Sequence, residues 1–438
     1  MKVLKFGGTS VGSPQRIKNV CRLIQDGERK IVVLSAMSGT TNSLVEIADY
    51  LSKHNRESAG YVINKMRNVY LRHVEELYAT EKMMQRTRKF LLDIFMHLHH
   101  LASLEFTPSI EKEILAQGEV MSTNMVANYL KELNVSVYLI PALSFMRTTA
   151  KKEPDLQFIK SHLASILRQN EGFEIFITQG FVCRNHLGQI DNLQRGGSDY
   201  TACLIGAALN SEEIQIWTDI DGMHNNDPRV VPHTSPVRQL NFEEAAELAY
   251  FGAKILHPTC IQPARYACVP VRLLNTMDPS APGTLINHKM QHGHIKSVAA
   301  KDNITAIKIV SSRMLLASGF LRKVFEIFET YQTSIDMVAT SEVGVSLSID
   351  NTDHLASILD ELKKYGSVEV DEHMCIICVV GDLRWGNVGF EAKVVEALAE
   401  IPVRMISYGG SNHNISFLVK EADKKAALCA LSEKLFKE

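Results

Sequence analysis

Two short glycine-rich segments carry the charged side chains best suited to chemistry. The first, KFGGTS at Lys5 to Ser10, lies between a β-type run and a helical run. Its glycines allow the backbone to approach an anion, and the Lys5 ammonium can neutralise a phosphate. The second, RGGSD at Arg195 to Asp199, joins a guanidinium that can grip a carboxylate to an aspartate that can orient a lysine. The first segment lacks the GxxxxGK[ST] pattern of a P-loop, and tight packing alone explains many such turns. A purely structural turn rarely needs both charges of the second segment beside two glycines.

Three further segments place polar residues where ligands are expected. Thr218 and Asp219 end a β-type run and lead into a polar loop that reaches Arg229. Loops at the carboxyl ends of strands bind nucleotides in α/β sheets. Lys254 lies beside a glycine, and Glu119 stands at the predicted start of a helix. Glu119 either favours the positive end of that helix or binds a substrate ammonium, and the sequence does not separate the two.

The elements that must position these residues alternate in type. Strand runs are predicted at 30–35, 135–140, 174–178 and 213–218, separated by helical runs. Between Ser58 and Leu104 the apolar period becomes helical, which predicts a helical insertion. Such alternation predicts a mostly parallel sheet covered by helices on both faces.

The C-terminal part contains an internal repeat. A boundary is predicted near Asp278 to Gly283, and beyond it Gly319-Phe320 recurs as Gly389-Phe390, 70 residues later. The β-type runs 345–349 and 415–419 keep the same offset. Two copies of a βαββαβ-like module are therefore expected, and chance similarity of two α+β segments is the alternative.

Composition limits the function classes. The formal net charge is −2 without a basic block, which argues against nucleic acid as a partner. No run approaches the roughly 20 apolar residues of a membrane helix, and the start lacks the pattern of a signal peptide, so a cytoplasmic protein without membrane contact is expected. Cys375 and Cys378 form a CxxC inside an apolar run, which predicts buried thiols. His97, His99 and His100 are interpreted as a partly solvated helix face, and no metal site in the chain itself is predicted.

Seven motifs in order resemble the aspartate kinases of the amino acid kinase family. They are KFGGTS at 5–10, LSAMSGTTN at 34–42, QGE at 117–119, RGGSDYTA at 195–202, WTDIDG at 217–222, DPR at 227–229 and FGAKILHP at 251–258. The resemblance implies an α/β fold, an αβα sandwich with a mostly parallel sheet at 1–292, followed by regulatory tandem ACT modules of ferredoxin-like α+β type at 293–438. A first ACT unit at about 311–372 would be inserted in a second unit formed by 295–310 and 373–438.

The resemblance also implies an activity: transfer of the γ-phosphoryl group of ATP to the β-carboxylate of L-aspartate, with Mg²⁺ bridging the phosphates. Lys5 and Asp199 would be catalytic. The implied substrate-binding residues are Thr41, Glu119, Arg195, Gly196, Gly197 and Ser198. The implied nucleotide-binding residues are Lys5, Phe6, Gly7, Gly8, Thr218, Asp219, His224, Arg229, Lys254 and Ile255. Catalysis would rest on positioning and charge neutralisation, because the nucleophile is already a carboxylate.

The repeated modules resemble paired ACT domains with the inhibitor site of lysine-sensitive aspartate kinases. The implied effector residues are Met314, Ser318, Gly319, Leu321, Ser334, Asp336, Thr340, Ser341 and Glu342. Asp336 and Glu342 would meet a cationic effector, with lysine favoured and threonine second, unless both are merely solvated turn residues. A homodimer through the ACT units is expected, with a tetramer as an alternative. No fused homoserine dehydrogenase domain is expected.

Three positions depart from the family pattern, and two other functions stay open. Gln194 replaces a usual glycine, Asn192 a common threonine and His224 a frequent tyrosine, which affects loop packing and adenine contacts. The first alternative is a sibling kinase acting on glutamate or acetylglutamate. The second is a catalytically inactive amino-acid sensor in which only the ACT pair functions.

Overall fold

A computed structural model describes residues 1–193, 196–252, 257–311 and 318–437. The chain divides into two compact units. The first comprises Met1–Met223 and Ile255–His288, and the second comprises His224–Lys254 and Lys289–Glu438. Each unit has its own sheet and core.

The described strands are numbered in chain order. They are β1 Lys2–Phe6, β2 Lys30–Leu34, β3 Val137–Ile140, β4 Ile175–Gln179, β5 Val182–Arg184, β6 Ile190–Asn192, β7 Ile214–Thr218, β8 Gln239–Asn241, β9 Val271–Asn275, β10 Thr284–Asn287, β11 Ile295–Val310, β12 Met337–Thr340, β13 Gly344–Ile349, β14 Ser367–Gly381, β15 Val403–Tyr408 and β16 Asn414–Lys420.

The described α-helices follow the same convention. They are α1 Pro14–Leu23, α2 Thr40–Ser52, α3 Arg56–Leu77, α4 Glu81–Ser103, α5 Pro108–Glu132, α6 Leu156–Gln169, α7 Gly197–Leu209, α8 Phe242–Tyr250, α9 Gln262–Tyr266, α10 Phe320–Thr330, α11 Leu355–Leu362, α12 Phe390–Ala397 and α13 Lys424–Phe436. None of these helices has the length and apolar character needed to cross a membrane.

In the first unit, seven strands lie in one sheet in the order β3-β4-β2-β1-β7-β9-β10. The neighbours are parallel except for β10, which runs antiparallel to β9. Every residue of β2 and β4 is buried, as expected for central strands of a sheet covered on both faces. Helix α5 packs on β3 and β4, and α7 packs on β1 and β7. The predicted α/β architecture is confirmed.

The predicted helical insertion is formed by helices α3 and α4, which pack on each other and against α2 and α5. Its buried side chains, among them Met66, Tyr70 and Phe95, join the apolar core that also contains Phe6 of β1. Helix α3 begins at an Asn55 cap whose side chain accepts the Ser58 amide, so the start of the insertion is set locally. The insertion therefore belongs to the same core as the sheet.

The second unit contains a six-stranded sheet in the order β12-β13-β11-β14-β16-β15. The long central strands β11 and β14 pair antiparallel with each other, and each also pairs with a strand of one module, β13 or β16. Helices α10 and α12 start at Gly319 and Gly389, both of which adopt positive φ as helix caps. The predicted repeat of two α+β ACT modules is confirmed.

The CxxC pair lies inside β14, as predicted. Cys375 and Cys378 are fully buried and unbridged. Burial raises the pKa of the Cys375 thiol to about 12, and it raises the pKa of the Cys378 thiol further in the same direction. These thiols therefore pack as small apolar side chains.

Candidate active site

A cavity of about 390 Å³ opens in the first unit at the carboxyl end of β1. Its lining combines the KFGGTS turn, the loop after β2, the middle of α5 and the start of α7. The lining residues are Lys5, Gly8, Ser35, Ala36, Met37, Ser38, Gly39, Thr41, Asn42, Glu119, Phe181, Gly196, Gly197, Ser198 and Asp199. Eight residues that the sequence predicted for catalysis or ligand binding therefore share one cavity.

An ion pair joins the two predicted catalytic residues. The Lys5 Nζ atom lies 2.7 Å from Asp199 Oδ1, and the two side chains are 12% and 15% exposed. Lys5 ends β1 and Asp199 lies in the first turn of α7, so parallel pairing and helix packing bring distant parts of the chain together. Asp199 thereby fixes the direction in which the ammonium points.

Glu119 supplies a carboxylate on another wall of the cavity. It is almost fully buried, and its Oε1 accepts a hydrogen bond of 3.2 Å from the Ala36 amide. Burial raises the pKa of this carboxyl from 4.5 to about 7, although the Ala36 amide and Lys5 favour its charged form. Glu119 lies in the middle of α5, so the alternative that it favours the positive end of a helix is wrong.

Two helix N-termini also face the cavity. Helix α2 begins after Gly39 and α7 begins after Gly196, and neither start has a side-chain cap among the described residues. The amides of a first helical turn have no partner within the helix, and the helix dipole makes that end positive. Helix α7 starts at Gly197, so Ser198 and Asp199 belong to its first turn. The cavity is therefore suited to anionic groups.

Two glycines permit the close contacts that shape this site. A Cβ atom on Gly8 would lie 2.8 Å from the carbonyl oxygen of Ala36, closer than side chains tolerate. Gly196 has φ of +78°, and a Cβ there would collide with Sγ of Cys260. The glycines are required by geometry at both turns.

A buried hydrogen bond anchors the start of α2 to the helical insertion. The hydroxyl oxygens of Tyr70 and Thr40 lie 2.7 Å apart, and both side chains are buried. Thr40 is adjacent to Thr41, which lines the cavity. Tyr70 therefore helps to position one wall of the cavity without lining it.

The predicted nucleotide residues are distributed over both units. The Phe6 side chain is buried and stacks on Trp217, so only its backbone is open to a ligand. Thr218 and Asp219 hydrogen-bond to each other at 3.1 Å at the end of β7. His224 and Arg229 belong to the second unit, where the Arg229 guanidinium binds both carboxylate oxygens of Asp227. That hydrogen bonding lowers the pKa of Asp227.

The predicted effector residues lie in the first ACT module of the second unit. Ser318 and Gly319 precede α10, and Leu321 is partly exposed on it. Ser334, Thr340, Ser341 and Glu342 are exposed around β12 and the turn to β13. Asp336 differs, because its side chain has no solvent exposure. The alternative that it is a solvated turn residue is therefore wrong, whereas Glu342 does lie in an exposed turn.

Four predicted residues, Arg195, Lys254, Ile255 and Met314, lie outside the described residues. Other lining residues were not singled out from the sequence. Those at 35–42 lie within the LSAMSGTTN motif, which was itself the available signal. Phe181 had no such signal: it is a non-glycine residue with φ of +65°, and its amide donates to the Thr201 hydroxyl.

Comparison with known proteins agrees with this geometry. The sequence profile of the amino acid kinase family matches residues 1–275, and that of an ACT domain matches residues 377–435. The chain belongs to the amino acid kinase family, as the motifs indicated. Lysine-sensitive aspartokinase 3 of Escherichia coli is 34% identical over 99% of both chains.

Two crystal structures of E. coli aspartokinase III share the whole fold. The complex with aspartate and ADP has a TM-score of 0.85, and the complex with lysine and aspartate has a TM-score of 0.81. In both comparisons the identity is 34% and all of each chain is covered. The similarity to this relative therefore extends over the whole chain, including both ACT modules.

The raised pKa of Glu119 predicts a stabilising substitution. A carboxyl with a folded pKa of about 7 and an unfolded value near 4.5 contributes stability that is present below pH 4.5 and lost as the pH rises through 7. Glu119→Gln should therefore be more stable than wild type by about 3 kcal/mol at pH 8, and similar to it at pH 4. Thermal unfolding of both proteins across this pH range measures the difference. A difference that does not grow with pH would contradict the buried-carboxylate assignment.

Removal of the Tyr70 hydroxyl tests the anchor on α2. Tyr70→Phe leaves the buried Thr40 hydroxyl without its partner, at a cost of about 1–3 kcal/mol. We expect the KM for the substrate bound beside Thr41 to rise several-fold, with a smaller change in kcat. Tyr78→Phe is the matched control, since the Tyr78 hydroxyl is also buried and donates to the Met125 carbonyl at 2.7 Å. Equal effects of the two variants on KM would show general destabilisation instead.

Proposed function

We propose that the chain is an aspartate kinase that transfers the γ-phosphoryl group of ATP to the β-carboxylate of L-aspartate. The product is 4-phospho-L-aspartate, the first intermediate of lysine, threonine and methionine biosynthesis. The observation that carries the proposal is the cavity, where a lysine and two helix N-termini oppose a buried carboxylate. A zwitterion with two carboxylates and one ammonium complements that arrangement, and the relatives of the same length are aspartokinases.

Each predicted catalytic or substrate-binding residue has a proposed part in this reaction. Glu119 binds the α-ammonium of aspartate, and Arg195 binds the α-carboxylate. Thr41 and Ser198, with the glycine amides at 196 and 197, hold the β-carboxylate in line for attack. Because the nucleophile is already ionised, the protein has only to position it and to neutralise charge. Lys5, held by Asp199, meets the charge that develops on the transferred phosphoryl group.

The proposed nucleotide site begins at the turn beside Lys5. The Phe6-Gly7-Gly8 backbone borders the β- and γ-phosphates, and the remaining contacts are assigned to Thr218, Asp219, His224, Arg229, Lys254 and Ile255. No set of three or more His, Cys, Asp or Glu side chains in the described part of the chain can hold a metal ion alone. We therefore expect Mg²⁺ to be carried mainly by the nucleotide phosphates, where it would neutralise their charge.

Feedback regulation by lysine is proposed for the first ACT module. Asp336 and Glu342 supply carboxylates for a cationic amino acid, and the amides near Ser318 and Gly319 face its carboxylate. The E. coli relative is described as lysine-sensitive and has been crystallised with lysine, which supports this choice over threonine. The kinase domain at 1–292, the ACT domain at 293–438 with its inserted first unit, the homodimer and the cytoplasmic location remain predictions.

A coupled ADP-release assay tests the activity directly. We expect ATP- and Mg²⁺-dependent turnover with L-aspartate, and hydroxylamine should trap the acyl phosphate as a hydroxamate. L-Glutamate should give little turnover, because its side chain is one methylene longer and places the carboxylate out of line. N-Acetyl-L-glutamate should also give little turnover, because the acetyl group removes the ammonium that Glu119 binds. Turnover of either acid in preference to aspartate would identify a sibling kinase. Lysine binding without turnover of any acid would identify an inactive sensor.

Lys5→Met should lower kcat by about 10²–10³-fold, since it removes a fixed cation from the transition state. Lys30→Met is the matched control. Lys30 is also a buried strand lysine paired with an aspartate, Asp26, but it lies at the opposite end of the parallel strands. The control should retain kcat within a few-fold. Retained turnover in Lys5→Met would remove Lys5 from the mechanism.

The pKa of Glu119 predicts how the activity depends on pH. Only its ionised form attracts the aspartate ammonium, so kcat/KM for aspartate should fall up to tenfold per pH unit below about pH 7. Glu119→Gln should have a low kcat/KM that is nearly constant over this range. Glu244→Gln is the control, because burial also raises the pKa of Glu244, in the capping box of α8. A wild-type profile that stays flat between pH 5.5 and 7 would exclude this role for Glu119.

A further inference from the structure

Asp336, the predicted effector carboxylate, is already bound by two side chains of its own unit. The Lys301 ammonium lies 2.7 Å from its Oδ1 atom, and the Tyr250 hydroxyl donates to the same oxygen at 2.7 Å. The ammonium also lies over the Tyr250 ring, 4.4 Å from its centre. A cationic effector that reaches Asp336 therefore meets a lysine of the chain in the position that its own ammonium would take.

Asp336 can exchange Lys301 for another cation. The second oxygen of Asp336, Oδ2, is buried and has no hydrogen-bond partner among the described residues. An unpaired buried carboxylate oxygen is costly, which favours the arrival of a further donor. Lys301 also binds Asp350 at 2.9 Å, and Asp350 is partly exposed. Lys301 can therefore leave Asp336 and remain paired.

The repeat shows that Lys301 has a counterpart of opposite charge. Lys301 faces Ile376 in the pairing of β11 with β14, and Asp371 faces Ala306 in the same pairing. Asp371 lies 70 residues after Lys301, and Ile376 lies 70 residues after Ala306. This is the offset that separates the two modules. Positions 301 and 371 are therefore structurally equivalent, and they carry a cation and an anion.

The partner position is inverted as well. Asp336 immediately precedes the residue of β12 that pairs with Ser348, and Arg404 immediately precedes the residue of β15 that pairs with Leu418. Arg404 binds Asp371, with Nε 2.8 Å from Oδ2. Each module thus has an ion pair at the same place. The partner of the central-strand residue is a carboxylate, Asp336, in the first module and a guanidinium, Arg404, in the second.

We propose that Lys301 is an internal competitor for the cationic group of the effector, and that it sets the affinity of the first ACT module for lysine. This inference rests on the proposed feedback regulation. The effector ammonium replaces the Lys301 ammonium on Asp336, while Lys301 stays on Asp350. No covalent step is involved. The second module cannot bind a cation in the same way, because Arg404 stands at the equivalent position.

Calorimetric titration of the full chain with L-lysine, without aspartate or nucleotide, tests the competition. Lys301→Met removes the competitor and should lower the Kd for lysine by about tenfold, the scale of one charge-assisted hydrogen bond. Asp350→Asn should raise the Kd several-fold, because displaced Lys301 then loses its second partner. Asp350 is on the surface, so this variant should fold even if Lys301→Met does not.

Asp371→Asn is the matched control, since it opens the equivalent ion pair in the second module. Its Kd for lysine should stay within twofold of wild type. Inhibition of aspartate turnover should follow the binding results, with a lower half-inhibitory lysine concentration in Lys301→Met and unchanged turnover without lysine. L-Threonine lacks a cationic side chain, so Lys301→Met should not tighten its binding.

An unchanged or raised Kd in Lys301→Met, or a lowered one in Asp350→Asn, would overturn the proposal. Failure of the wild type to bind lysine would overturn it too, but would leave aspartate kinase activity standing. Calorimetry needs no turnover, so absence of aspartate turnover alongside the expected shifts in Kd would count against the proposed catalysis only. The two proposals are therefore separable.

Discussion

The active-site geometry depends on holding the Lys5–Asp199 ion pair and the Glu119 carboxylate apart in one mostly buried cavity. Lys5 is paired with Asp199, and Glu119 is held apart on α5 by the Ala36 amide. Desolvation penalises the charge of Glu119, as the raised pKa of its carboxyl shows. The penalty is tolerated because the groups are attached to rigid elements: the end of β1, the interior of α5 and the first turn of α7. A looser scaffold would allow Lys5 and Glu119 to collapse together and close the cavity.

The helical insertion makes this rigidity possible. Helices α3 and α4 bury a large apolar surface against α2 and α5, so both walls that carry Thr41 and Glu119 share one core. The Tyr70 hydroxyl adds a directional contact at the start of α2. An uncapped helix N-terminus is the least stable part of a helix, because its first amides lack partners. The insertion therefore stabilises the end that must stay open to bind an anion.

The sequence predicted the site best where side-chain chemistry is tied to a local turn. KFGGTS and RGGSD specify a strand end and a helix start, and the structure places Lys5 and Asp199 together. It predicted less well where a residue acts through tertiary packing. The sequence placed Glu119 at a helix start, yet α5 continues through Gly118, where the absence of a side chain lets the helix pack closely on Ala36. Phe181 and Tyr70 carry no local signal at all, because their roles depend on a positive φ and on a contact between two helices.

The repeat illustrates a further limit of local patterns. Periodicity and the Gly-Phe pairs located both modules, but the inverted ion pairs follow only from strand register, which brings position 301 to position 336 and position 371 to position 404. Lys5–Asp199 and Lys301–Asp336 then share a physical property. Both are ion pairs of low exposure at positions proposed to bind charged ligands. Breaking such a pair outright is costly, whereas exchanging one partner for a ligand of the same charge leaves no buried charge unpaired. A duplicated fold can therefore keep one module responsive to a cation and the other not by reversing two charges.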